Sequence, residues 1–106
     1  MAFDINEVVA QMLGAVKTSV KDDWKLVKDS AGSFLQSRKD RLDLLASLRL
    51  NNEISEKFFL KRLADEKKIL ESELHAVAIM TKAMAQRAAN AAIDVLAKAV
   101  DKLIPL

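Results

Sequence analysis

Between Phe3 and Ile104 only Gly14 and Gly32 weaken a helix, and the single proline is Pro105. Against that background apolar residues recur at Val9, Leu13, Val16, Val20, Trp24, Val27, Ala31 and Leu35, then at Leu42, Leu45 and Leu48. Steps of mostly three and four mark one face of a helix. Leu13, Trp24 and Leu35 are spaced by 11, as are Val20, Ala31 and Leu42. Such a repeat keeps the stripe nearly straight along a helix. A second stripe reads Phe59, Leu63, Leu70, Leu74 and Val77, then Met84, Ala88, Ala92, Val95, Ala99 and Leu103. Between Leu63 and Leu70 it meets Glu66 and Lys67, a polar gap. The chain is read as all-α, with Asp4 or Asn6 capping its start.

The midpoint stretch NNEIS carries the signals of a reversal. Asn52 suits the left-handed conformation that ends a helix, since Asn tolerates it better than most residues other than Gly. Ser55 offers an N-cap hydroxyl to the helix that follows. Ile54 before it and Phe59 after it stand at the positions of a hydrophobic staple. The spacing predicts two antiparallel arms, about 4–50 and about 53–104, joined by a turn at about 51–54. In regular register Trp24 would lie level with Ile79. Each arm would extend roughly 75 Å at about 1.5 Å per residue. One internal weak point is Gly32, which costs about 1 kcal/mol relative to Ala in a helix. Ser30 and Ser33 can cap a new helix there. The stripe keeps its phase across Gly32 and so favours a continuous arm; the alternative is a three-helix arrangement with a break near Gly32.

The stretch LASLRLNNEISEKFFLKRLADEKKIL, Leu45 to Leu70, resembles the short C-terminal domain family often called SHOCT. That family pairs two short helices around a Gly-x-Ile-Thr turn followed by an acidic-Phe pair. Asn52 stands at the Gly position, Ile54 at the Ile, Ser55 at the Thr and Phe59 at the Phe, while Phe58 departs from the acidic position. The resemblance covers about a quarter of the chain. It implies an element of interaction or oligomerisation and no catalytic activity.

Composition narrows the function classes. Seventeen basic residues oppose 15 acidic ones, for a formal charge of +2. That is close to balance, whereas nucleic-acid binders show a clustered excess, so nucleic acid is not expected as a partner. With no Cys there are no disulfides or thiolate metal sites. His75, the one His, follows Glu71 by four but lacks the further ligands and supporting groups of a metal or acid–base site. No glycine-rich phosphate loop occurs and no Ser has a base beside it. The expectation is a protein that is not an enzyme and takes no metal or cofactor. Asp4 and Glu7 stand where a signal peptide would be basic. The apolar region 76–100 is interrupted by Lys82, Arg87, Asp94 and Lys98. A soluble, cytoplasmic protein is expected.

Two surfaces are singled out. Lys17, Lys21, Lys25 and Lys28 recur at four, four and three along the first arm and flank its apolar face, a candidate contact for anionic groups. Asp22 and Asp29 adjoin them. In the stretch from Ala76 to Ile104 the polar residues Lys82, Gln86, Asn90, Asp94, Lys98 and Lys102 form one narrow stripe. A helix packed on one side shows an apolar face of about 100° or somewhat more. This segment is therefore expected to touch more than one neighbour, with Met84, Ala88, Ala92, Val95 and Ala99 as the candidate partner interface. Together these readings describe one helical domain, 1–106, forming a long antiparallel hairpin with coiled-coil-like packing. It is expected to self-associate, as a dimer, into a four-helix bundle. The expected function is a helical assembly or adaptor module acting by protein–protein interaction; the alternative is an amphipathic protein that binds anionic lipid at a membrane surface.

Overall fold

The computed structural model describes residues 3–76 and 80–104. Among these residues the chain is helical, with no strand. The elements are α1 (Ile5–Val20), a 3-10 turn (Lys21–Asp23), α2 (Trp24–Leu50), α3 (Glu56–Ala76) and α4 (Lys82–Asp101). α1 packs on α2 and α4, and α3 packs on α2 and α4. Neighbours run antiparallel. Phe3 just ahead of α1 and Val8 in its first turns lie beside Val95 of α4 and Leu103 just past its end. Phe59, near the start of α3, meets Val100 and Ile104. Gly32 of α2 lies beside Leu13 of α1, and Arg38 of α2 pairs with Glu66 of α3.

Both long arms are folded in two. The longest dimension of the molecule is 41 Å, far short of the roughly 75 Å that a 50-residue helix would need. The first arm breaks at Lys21, not at Gly32. Lys21 closes α1 with φ 52° and ψ −114°, its N–H bonded to the Lys17 carbonyl. Gly32 sits inside α2 without interrupting it. Lys17 in the last turn of α1 and the Asp22–Asp23 pair ahead of α2 have the charge signs favoured at a helix end and a helix start. The second arm, expected unbroken, restarts at Lys82. Thr81 is extended (φ −71°, ψ 156°) and its side chain accepts the Met84 N–H, an N-cap that ends continuity. The expected levelling of Trp24 with Ile79 falls on a residue outside the described ones, as does Val77 of the apolar stripe.

The central reversal follows the sequence signals. Asn52 has φ 60°. Its N–H donates to the Arg49 carbonyl at 3.1 Å, and the Glu53 N–H donates to the Leu48 carbonyl at 2.8 Å. These are the two bonds of a Schellman motif, which satisfies carbonyls that the helix end leaves free. The Ser55 hydroxyl accepts the Phe58 N–H at 3.1 Å. Ile54 and Phe59 both pack into the core. At the other end of the chain Asp4 caps α1 by accepting the Asn6 and Glu7 N–H groups.

The core runs the length of the molecule. α1 contributes Val8, Val9, Met12, Val16 and Val20; α2 contributes Val27, Ala31, Leu35, Leu42 and Ala46. α3 adds Phe59, Leu63, Leu70 and Leu74, and α4 adds Ala85, Ala88, Ala89, Ala92, Ile93, Leu96 and Val100. Burying a Val, Leu, Ile, Phe or Met side chain contributes about 1.5–3 kcal/mol, so these stripes supply the drive to fold. Trp24 is half-buried against this cluster. The most extensive helix pairing is α1 with α4, where alanines let the backbones approach.

Candidate functional site

The inward positions of α2 run Val27, Ala31, Leu35, then Leu42 and Ala46. The slot between Leu35 and Leu42 holds Arg38. The inward positions of α3 run Phe59, Leu63, then Leu70 and Leu74, and the slot between holds Glu66. The two polar slots face each other. Glu66 is 4% exposed. Arg38 approaches it side-on, with Nε donating to Oε2 at 3.1 Å and Nη2 to Oε1 at 2.7 Å. Arg41, one turn further along α2, donates Nε to Oε1 at 2.8 Å. Two guanidinium groups therefore hold one buried carboxylate, whose remaining lone pairs are satisfied by charge-assisted bonds. The Arg38 guanidinium also lies 5.9 Å from the Phe34 ring centre. Sliding α2 past α3 by a turn would leave Glu66 buried and unpaired, so this ionic layer fixes their register. In the sequence Glu66 reads only as a gap in a stripe. The usable signal was the matching gap at Arg38, equidistant from the turn.

Just outside this layer the α2–α3 pair carries a second, outward stripe. Leu44, Leu45 and Leu48 line it from α2; Phe58, Arg62, Asp65 and Ile69 line it from α3. They border a groove of about 350 Å³ whose lining Arg41 and Glu66 complete. Leu44 is 60% exposed, Phe58 43% and Ile69 40%. Large apolar side chains scattered singly on a surface need no explanation, but a contiguous set marks a contact site. Charge is available beside it. Arg62 sits 5.2 Å from the Phe58 ring centre and 3.9 Å from Asp65. About half of the Arg62 and Asp65 side chains is open to solvent. Arg41 is 61% exposed and uses only Nε on Glu66, so its two terminal nitrogens are not committed to that carboxylate.

The residues singled out from sequence are not gathered into one surface. Ala88 and Ala92 are completely buried within the chain, covered by its own helices, so they offer nothing to a second molecule as the chain stands. Val95 and Ala99 are half-buried beside Phe3 and Val8 at one end of the α1–α4 pair. Met84 is half-buried at the other end, near Lys21 and Arg87. α4 does touch more than one neighbour, chiefly α1 and α3, and all belong to its own chain. The polar stripe from Lys82 to Lys102 is exposed throughout. Lys17, Lys21, Lys25 and Lys28 are all exposed, but the break at Lys21 puts Lys17 on α1 and Lys25 and Lys28 on α2. They do not form one helical row. His75 is exposed at the end of α3.

Among the described residues no three His, Cys, Asp or Glu side chains converge as a metal site would require. No helix of the described chain is long and apolar enough to cross a membrane. No family model, no curated protein and no solved structure matches this chain.

Proposed function

We propose that this chain is a non-enzymatic helical assembly module that acts by protein–protein contact through the outward face of α2 and α3. The observation that carries the reading is the row of Leu44, Phe58 and Ile69, three of the five large apolar side chains left exposed, gathered along one groove, whereas Leu26 and Leu60 lie outside it. A groove between two antiparallel helices suits a third helix, whose apolar residues enter as anchors. Residues 45–70, which include most of this face, are also the segment whose resemblance to the SHOCT hairpin implies an interaction element. Self-association remains the favoured mode, now through α2–α3 and not through the alanine-rich segment. Site-specific photo-cross-linking in living cells tests the reading. A photoreactive residue at Leu44 should give discrete protein adducts, while the same residue at Leu26, which is 62% exposed, should not. Adducts at both positions alike, or at neither, would refute it.

The alternative is an anionic-lipid binder at a membrane surface. The exposed Lys17, Lys21, Lys25 and Lys28 supply charge for it. It asks more of the fold, because the apolar faces of α1 and α4 are buried against each other and would have to part before meeting lipid. A gain in helix content and co-sedimentation with phosphatidylglycerol vesicles would favour that reading.

A further inference from the structure

We infer that the occupant of the α2–α3 face is a second copy of this chain, packed about a two-fold axis that runs along the groove. The inference rests on the reading of that face as the contact surface and adds the symmetry and the paired contacts by which the copies meet. A two-fold axis parallel to the helices preserves height, so α2 of one copy faces α3 of the other at the same level. Glu66 bonds both Arg38 and Arg41, which sets it level with the stretch of α2 between them. Arg41 then stands opposite Asp65 of the second copy, and Asp65 opposite its Arg41. Leu48 meets Phe58, and Leu44 meets the aliphatic stem of Arg62.

The charges on this face are therefore self-complementary. Arg41 has two terminal nitrogens beyond the one that holds Glu66, and Asp65 has only a loose 3.9 Å contact with Arg62. Each has capacity for a partner of opposite sign, and the symmetry delivers it twice. From Phe58 to Ile69 the face is roughly 17 Å long at about 1.5 Å per residue. That is short against the roughly 800 Å² per partner of a standard stable interface. The dimer is accordingly weak and concentration-dependent, with a dissociation constant in roughly the micromolar to sub-millimolar range.

Charge exchange tests this. Arg41→Glu and Asp65→Arg each place like charges opposite one another in a homodimer. Mixed one to one, they restore opposite charges at both crossings. Sedimentation velocity should show the 11.8 kDa wild-type chain moving toward twice that mass as concentration rises. Each variant alone should associate at least about tenfold more weakly, and the mixture should recover dimers of mixed composition. Because Arg41→Glu also disturbs the Glu66 cluster, thermal melts accompany each variant. If that one fails to fold, Asp65→Arg and Leu44→Glu carry the test, and both must weaken association. A wild type that stays monomeric to about 500 µM overturns the inference, as does a mixture no more associated than its parts, or association indifferent to Asp65 and Leu44. A monomeric wild type that still gives adducts at position 44 would refute the second copy alone; one without adducts would refute the contact surface as well.

Discussion

The two halves of this molecule solve the same packing problem with different residues. α1 buries Val8, Val9, Met12 and Val16, and α4, which packs on it, buries Ala85, Ala88, Ala89 and Ala92 beside Ile93, Leu96 and Val100. Small side chains on one helix let large ones on the other fill the gap, and the pair closes. α2 and α3 meet through leucines and an ionic layer, Arg38 and Arg41 on Glu66. There the apolar stripe is wider than the contact, so Leu44, Phe58 and Ile69 remain outside. A helix pair sealed by alanines supplies stability; a pair held in register by charge and left with open apolar residues supplies a surface.

The largest effect expected from this contrast concerns the sealed half. Ala88→Glu combined with Ala92→Glu places two carboxylates where neither position has any exposure. Burying an unpaired charge costs several kcal/mol after relaxation, and a domain has only about 5–15 kcal/mol in total. Loss of the cooperative thermal transition in circular dichroism is expected. Leu44→Glu on the open half should shift the melting temperature by no more than a few degrees, in keeping with a surface substitution. A double alanine variant that melts like the wild type would break the comparison.

The ionic layer comes next. Glu66→Ala leaves Arg38 and Arg41 without their shared partner. Both arginines reach solvent, at 25% and 61% exposure, so the cost should be about 1–3 kcal/mol, below the figure for a fully buried pair. Glu66→Leu should cost less, because a leucine continues the stripe between Leu63 and Leu70 while the arginines turn outward. Urea denaturation distinguishes them; two equally silent variants would remove the ionic layer from the account.

Much of the α2–α3 half was legible in the sequence because its backbone needs are met by residues suited to them. Asn52 takes the left-handed conformation, Ser55 caps, and Ile54 and Phe59 pack across the start of α3. The reversals at Lys21 and before Lys82 were not legible. The Lys21–Asp23 linker is three residues long, about one helical turn, so Val20, Trp24 and Val27 keep the spacing of an unbroken helix while the chain turns back. Thr81 is a single ordinary capping residue without a turn residue beside it. What folds these arms is the gain from burying their stripes on one another, and no local pattern records that. For the same reason the alanine face was readable as a contact surface but not as one covered by α1 and α3.

Lys21 and Asn52, the positive-φ residues among the described ones, sharpen this point with smaller effects. Asn52→Val should cost about 1–2 kcal/mol, the penalty of a left-handed conformation for an ordinary side chain, and Asn52→Gly should be neutral or slightly stabilising. Lys21 holds φ 52° with no side-chain chemistry that favours it, so Lys21→Gly should stabilise by about 1 kcal/mol or more. Equal melting temperatures for the Asn52 variants would count against the turn geometry. Smallest of all, Gly32→Ala adds a methyl group that meets only the Leu13 side chain at 3.9 Å. It should stabilise by up to about 1 kcal/mol.

The central claim is that the open half, not the sealed one, is where this chain meets another molecule of itself. A dilution series of two-dimensional amide NMR spectra addresses it residue by residue. Concentration-dependent shifts are expected on the outward stripe of α2 and α3, at and around Arg41, Leu44, Leu48, Phe58, Asp65 and Ile69, with the facing surfaces of α1 and α4 unmoved. Spectra that do not change with concentration, or changes centred on Ala88 and Ala92, would contradict it.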